Sequence, residues 1–166
     1  MVNTREYNTA VKDLSRNIFR YVMKCIQNED ETKDIVQDCF LKLWQNRDLV
    51  NPDKVKYWLF STAHNTMLNH IKKSSRTVSI EGLKGITPYV DQNESFDLKE
   101  LINKSLDLLP QIQKSIMILR DLEGYEYKEI GDILDLTESQ VKVYLFRARQ
   151  KMKNYLKELN GYYENN

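Results

Sequence analysis

The sequence predicts an all-α fold, with two small helical domains joined by a flexible linker. Glycine and proline are scarce, with 5 and 3 among 166 residues, and such a composition favours helices with short connections. Between about residues 74 and 96 the helical period of apolar residues fails, and Gly82, Gly85 and Pro88 fall in this gap. We therefore predict domains at residues 1–75 and 98–166 and a linker at residues 76–97.

The helical period of apolar residues defines the individual elements. In the first domain it predicts helices at about 7–27, 31–45 and 55–73. In the second domain a helix begins near Leu98, Pro110 suits the first turn of another, and Gly124 can end that one with a positive φ angle. The last two helices are predicted at residues 127–134 and 138–159.

Composition excludes several classes of protein. The net charge is only +1, so any charge that binds DNA must be local. Two cysteines cannot build a disulfide framework or a four-cysteine zinc site. The first ten residues are polar and no apolar run approaches the roughly 20 residues that span a bilayer, so we expect a soluble, cytoplasmic protein. Without a glycine-rich phosphate loop or a nucleophile elbow, we predict no enzyme, no cofactor and no metal site.

The last two predicted helices form a helix-turn-helix. Only Asp135, Leu136 and Thr137 separate them, and a turn this short holds two helices at a steep angle, with Thr137 placed to cap the second. Gly131 offers a spot without a side chain where the helices cross. The predicted shared core consists of Ile130, Leu134, Leu136, Val141 and Leu145.

The second helix of this pair has two contrasting faces. Its outer face carries Ser139, Lys142, Val143, Phe146, Arg147 and Gln150. In a major groove the apolar side chains of this face could contact thymine methyl groups, and its arginine could reach guanine acceptors. The alternative is a solvated basic helix whose Phe146 packs on a neighbouring helix.

The predicted helix at 55–73 has a face suited to single-stranded DNA. It carries Trp58, Thr62, Asn65, Asn69, Lys72 and Lys73. An aromatic ring can stack on an unpaired base, amides can read its edge, and lysines can follow phosphates. The alternative is that Trp58 belongs to the core and that the asparagines are merely solvated.

The predicted helix at 31–45 has a wide apolar stripe that includes Trp44, and its opposite face is unusual. There Leu41 lies among Asp34, Gln37, Asp38 and Lys42. An apolar side chain ringed by polar groups is typical of a small protein docking site, although single exposed leucines are also common.

Together these stretches resemble the sigma-70 superfamily, specifically its extracytoplasmic-function (ECF) branch. Residues 34–44 are similar to the polymerase-docking helix of sigma region 2, and residues 57–69 to the helix that captures the minus 10 element. Residues 109–110, 119–131 and 141–149 are similar to region 4. The order of these pieces, with a linker where larger sigma factors place additional domains, makes the combination specific.

The resemblance implies roles for individual residues. Polymerase docking would fall on Asp34, Gln37, Asp38 and Leu41. Recognition and melting of the minus 10 element would fall on Trp58, Thr62, Asn65, Asn69, Lys72 and Lys73. Recognition of the minus 35 element would fall on Arg120, Ser139, Lys142, Val143, Phe146 and Arg147. The implied partners are core RNA polymerase, promoter DNA and an anti-sigma factor, in some cases membrane-anchored, with no small-molecule substrate.

An alternative hypothesis depends only on the helix-turn-helix. The protein would then be a stand-alone transcriptional regulator whose N-terminal half serves dimerisation or effector binding. Such a regulator would bind duplex DNA tightly without polymerase, whereas a sigma factor would bind it weakly when free. An enzyme has little support, because only His64 and His70 could act as bases, and His64 falls on the apolar side of its helix.

Overall fold

The computed structural model describes residues 1–78 and 98–164, and these residues fold into helices without a β-strand. The all-α prediction is therefore confirmed. The helices are α1 (Thr4–Ile26), α2 (Glu29–Gln45), α3 (Val55–Val78), α4 (Leu98–Asp107), α5 (Gln111–Met117), α6 (Tyr127–Leu134) and α7 (Glu138–Glu164). Most of the predicted linker, 79–97, lies outside the described residues.

Short polar caps set the bounds of the first two helices. Asn3 and Glu6 form a reciprocal capping box that starts α1. Gln27 ends α1 in the left-handed conformation, with φ 53°. The side chain of Asn28 then accepts a hydrogen bond from the backbone N–H of Glu31 and starts α2. Because these caps precede the apolar period, both helices begin two or three residues earlier than predicted.

The first three helices pack around one apolar centre. Its most deeply buried members come from all three: Ile18, Tyr21, Val22, Cys39, Leu43, Leu59, Phe60, Ala63 and Met67. The predicted core stripe of α2 is wrong at one residue. Trp44 remains 37% exposed, with the edge-on ring of Tyr7 and the guanidinium of Arg47 covering part of its ring.

The second half is built around the predicted helix-turn-helix. Pro110 is the N-cap of α5, and a π-helical turn, Ile118–Leu122, continues it. Gly124 has the positive φ expected of it, 76°. The helix α6 has the predicted bounds, whereas α7 runs five residues further than predicted.

The turn between α6 and α7 is closed by its own side chains and backbone. The hydroxyl of Thr137 accepts a hydrogen bond from the N–H of Gln140, whose side chain accepts one from the N–H of Thr137. A Cβ on Gly131 would lie 2.6 Å from the carbonyl oxygen of Leu136. The close approach predicted for Gly131 is confirmed, and its neighbour is the backbone of the turn.

The two halves pack directly against each other, which the sequence did not indicate. Helix α3 contacts α6, and α1 contacts α5. At the centre of this contact, the ring of Phe60 meets that of Tyr125 with centroids 5.2 Å apart. The buried apolar residues of both halves consequently form a single cluster.

Candidate nucleic-acid and protein interfaces

The outer face of α7 presents apolar and basic side chains to solvent. Val143 is 48% exposed and Phe146 is 70% exposed, while Ser139, Lys142 and Arg147 beside them are also open to solvent. The inner face is buried through Val141, Leu145 and Ala148. No neighbouring helix within the described residues therefore covers Phe146, which removes the alternative that it packs inside the fold.

An aromatic ring supports two of the predicted DNA-contacting cations. The guanidinium of Arg120 lies 4.6 Å from the ring centroid of Tyr127, and Nζ of Lys142 lies 5.6 Å from the same centroid. Arg120 also donates a hydrogen bond of 2.8 Å to the carbonyl oxygen of Tyr125. Because these contacts fix its direction, Arg120 is a partly buried and oriented cation. Sequence reasoning missed Tyr127, since the three residues come from different elements.

The predicted single-strand face of α3 is present but unevenly exposed. Asn65, Asn69, Lys72 and Lys73 are exposed. Trp58 and Thr62 are half-buried, and the Trp58 ring packs against the apolar cluster. Trp58 therefore fits both interpretations in part. One part of the ring packs on the core, and the rest remains accessible to a base.

The predicted docking face of α2 is also open. Leu41 is 53% exposed, Asp34 and Gln37 are exposed, and Asp38 is half-buried. Asp38 forms an ion pair of 2.8 Å with Lys42, which also donates to the hydroxyl of Thr66. That bond ties α2 to α3 and holds the face in place.

A shallow groove between α1 and α2 adjoins this face. Its volume is about 470 Å³. It is lined by Tyr7, Val11, Ser15, Val36, Gln37, Phe40, Leu41 and Trp44. The groove extends the apolar surface of Leu41, so the α2 face can receive a protein partner over more than one side chain.

Of the two candidate bases, His64 is buried, whereas the side chain of His70 is 34% exposed and its Nε2 lies 3.2 Å from a carboxylate oxygen of Glu31. Both cysteines are buried. Burial lowers the pKa of His64 from 6.5 to about 4, and its Nδ1 lies 3.0 Å from the hydroxyl of Tyr21. Burial raises the pKa of the Cys25 thiol to about 11 and that of Cys39 to about 12. In residues 1–78 and 98–164, no group of three or more acidic, histidine or cysteine side chains could hold a metal ion. None of the helices described there is both long and apolar enough to span a bilayer.

Two family models match the chain in the predicted order. Sigma-70 region 2 matches residues 10–77, and sigma-70 region 4 matches residues 99–152. The first match contains the exposed faces of α2 and α3. The second contains Arg120, Tyr127 and the outer face of α7.

Curated relatives are similar over most of their length. The ECF sigma factor SigM of Bacillus subtilis is 25% identical over 143 residues, which cover 82% of this chain and 86% of the relative. The ECF sigma-E factor of Escherichia coli K12 is 26% identical over 170 aligned positions, which cover 93% of this chain and 88% of the relative.

Solved structures share the fold. The sigma factor RpoE from Bartonella quintana, in complex with the anti-sigma factor NepR, superposes with a TM-score of 0.72 at 22% identity, covering 93% of this chain and 98% of that one. CnrH, in complex with the cytosolic domain of CnrY, superposes with a TM-score of 0.71 at 20% identity, covering 94% and 90%. With both sigma regions matched in order and ECF factors as relatives, this chain belongs to the sigma-70 family, in its extracytoplasmic-function branch.

Proposed function

We propose that this protein directs RNA polymerase to a set of promoters by placing two of its faces on promoter DNA and a third on polymerase. The α7 face reads duplex DNA at the minus 35 element, the α3 face holds unpaired bases of the minus 10 element, and the α2 face docks on polymerase. The main support for this proposal is the α7 face, where the exposed Val143 and Phe146 are flanked by Lys142 and Arg147. This helix follows α6 after a turn of three residues. An apolar pair flanked by cations suits a major groove with thymine methyl groups and phosphates.

Oriented cations support the minus 35 role. Arg120 and Lys142 share the ring of Tyr127, so less side-chain entropy is lost when they meet DNA. Ser139 at the start of α7 can add a phosphate contact, because phosphates bind readily at helix N-termini.

The minus 10 role follows from the exposed polar side chains of α3. Asn65 and Asn69 can donate to and accept from the edge of an unpaired base, while Lys72 and Lys73 neutralise phosphates. The accessible part of Trp58 supplies a stacking surface next to Thr62. Unpairing costs a few kcal/mol per base pair, so these contacts must offset that cost once polymerase holds the DNA.

Polymerase docking on α2 explains how two weak DNA contacts become a specific one. When polymerase fixes both halves on one promoter, each engaged element raises the effective concentration of the other half at its own element. Tight binding by either half alone is then unnecessary. The net charge of +1 agrees with weak binding of the free protein to duplex DNA.

We further propose an anti-sigma partner and a cytoplasmic location. The fold neighbours RpoE and CnrH were each solved with an anti-sigma factor or its cytosolic domain. The exposed apolar side chains at Leu41 and Phe146 are surfaces that such an inhibitor could cover. We expect no enzymatic activity, since the sigma role consists of binding.

A gel-shift experiment with and without core polymerase tests this function. We expect the free protein to leave promoter duplexes unshifted at concentrations where the protein with core polymerase shifts and opens them. Specific binding that does not require polymerase would instead favour the stand-alone regulator, which neither the matched regions nor the relatives support.

A further inference from the structure

The outer face of α7 has an apolar pair, Val143 and Phe146, at its centre and cations at its edges. At about 100° per residue, the two members of the pair lie about 60° apart around the helix, and Arg147 lies about 40° beyond Val143. Lys142 lies on the opposite edge, about 40° beyond Phe146. The members of the pair are 48% and 70% exposed. A surface that approaches this face therefore meets the apolar pair first.

Two cations are held together at one edge of this face. Nζ of Lys142 lies 5.6 Å from the ring centroid of Tyr127 and 3.5 Å from a carboxylate oxygen of Glu138. The guanidinium of Arg120 lies 4.6 Å from the same centroid. Tyr127 is the first residue of α6, and the first helix of a helix-turn-helix crosses the DNA backbone when the second lies in the major groove. Arg120 and Lys142 are thus placed to neutralise phosphates.

The apolar pair differs from these cations in what it can distinguish. Phosphate contacts carry no direct sequence information, so sequence preference must come from side chains that reach the base edges. Where an apolar side chain covers a donor or acceptor of guanine, cytosine or adenine, that group loses water without gaining a partner. Thymine presents a methyl group in the major groove, and contact with it removes apolar surface of both partners from water. The apolar pair therefore favours thymine.

The spacing of the apolar pair matches neighbouring base pairs. Val143 and Phe146 are three residues apart, which corresponds to about 4.5 Å along the helix axis. Successive base pairs of B-form DNA are about 3.4 Å apart. Each member of the pair can therefore contact a methyl group of its own, on one strand or the other.

Resting on the proposed function, we infer that Val143 and Phe146 determine the specificity of minus 35 recognition by contacting the methyl groups of thymines in neighbouring base pairs. Arg120 and Lys142 bind phosphates whatever the sequence. The cations at Tyr127 thus supply affinity for duplex DNA in general, and the apolar pair supplies preference among sequences. The chemical group that this face recognises is the 5-methyl group of thymine.

The first experiment removes this methyl group from the DNA. Deoxyuridine pairs with adenine as thymidine does and lacks only the methyl group. The probe is a promoter duplex that core polymerase transcribes with the wild-type protein, and its minus 35 thymines are replaced one at a time, on both strands. Fluorescence anisotropy measures binding of the polymerase complex. We expect affinity to fall about fourfold at two neighbouring positions, which is the effect of burying one methyl group.

Deoxyuridine in the spacer between the two elements is the control on the DNA side and should not change affinity. If no minus 35 position responds to deoxyuridine, the inference is overturned while the proposed function stands. If the wild-type protein with core polymerase neither binds nor transcribes any promoter, the proposed function itself fails.

The second experiment separates the apolar pair from the cations. Val143→Ala removes the two methyl groups of an exposed side chain, and we expect it to abolish the deoxyuridine penalty at one position and to keep the penalty at the other. The variant should leave the slope of log affinity against log salt unchanged, because Val143 neutralises no phosphate.

Lys142→Ala is the matched variant, because it changes a neighbouring exposed residue of the same helix. We expect it to weaken binding to every probe by the same factor, to keep both penalties, and to reduce the salt slope by about 1. Val143→Ala with both penalties intact would refute methyl recognition by this side chain. Loss of a penalty in Lys142→Ala, or an unchanged salt slope, would refute the assignment of this cation to phosphates.

Discussion

Acidic pH should lower the free energy of unfolding of this protein through one buried histidine, His64. His64 lies beneath Tyr21 and Ser115, and burial lowers the pKa of its imidazole from 6.5 to about 4. It is therefore neutral in the folded state throughout the range between those values. Once the chain unfolds, the same imidazole takes up a proton near pH 6.5.

The sign and size of the effect follow from linkage. Between pH 6.5 and 4 the unfolded state binds more protons than the folded state, so stability falls as the pH falls. At pH 5, about 1.5 units below the unfolded pKa, the loss is about 2 kcal/mol at about 1.36 kcal/mol per unit. Above pH 7 the effect vanishes, because His64 is neutral in both states.

Urea unfolding at pH 7.5 and pH 5 measures this loss. Other groups also titrate in that interval, so the comparison is with His64→Asn, which keeps a polar group near the Tyr21 hydroxyl but cannot be protonated. We expect the wild type to lose about 2 kcal/mol more than His64→Asn on acidification. Equal losses in the two proteins would refute the burial of a neutral His64.

Three other substitutions test the site and the fold. Phe146→Ala should weaken minus 35 recognition by about 1 to 3 kcal/mol, measured by fluorescence anisotropy of polymerase on promoter DNA; unchanged affinity would remove Phe146 from the interface. Asn65→Ala should impair strand opening while core binding persists, and normal permanganate reactivity of minus 10 thymines would contradict its role. Gly131→Ala should lower the free energy of unfolding by about 1 to 3 kcal/mol, because its Cβ would lie 2.6 Å from a carbonyl oxygen of the turn. Gly161→Ala, whose Cβ meets nothing within 4 Å, is the control and should be neutral or stabilising by up to about 1 kcal/mol. Urea unfolding of both variants measures the difference.

Local patterns were sufficient to predict the helix-turn-helix. The bounds of α6, the capping by Thr137 and the division of α7 into buried and exposed faces all depend on residues within one or two turns of each other. Such information is contained in the spacing of apolar and polar residues.

The contact between the two halves could not be predicted in the same way. In the sequence, Lys114 and Ser115 look like ordinary solvent-facing residues of a short helix. Their burial depends on α1, almost 90 residues earlier, since Lys114 reaches the carbonyl oxygen of Cys25. Arg20 and Glu123 form an ion pair of 3.1 Å, but they are far apart in the sequence and no pattern there predicts the interaction. Long-range contacts of this kind depend on how two helical bodies dock, which periodicity does not encode.

We propose that this protein directs RNA polymerase to new start sites, and transcription in vitro tests this role most directly. Core polymerase with the purified protein would transcribe a library of genomic fragments, and the RNA 5′ ends would be mapped. We expect new start sites that share one element near minus 10 and one near minus 35, absent with core alone and used less with Phe146→Ala. Start sites identical to those of core polymerase alone would contradict the claim.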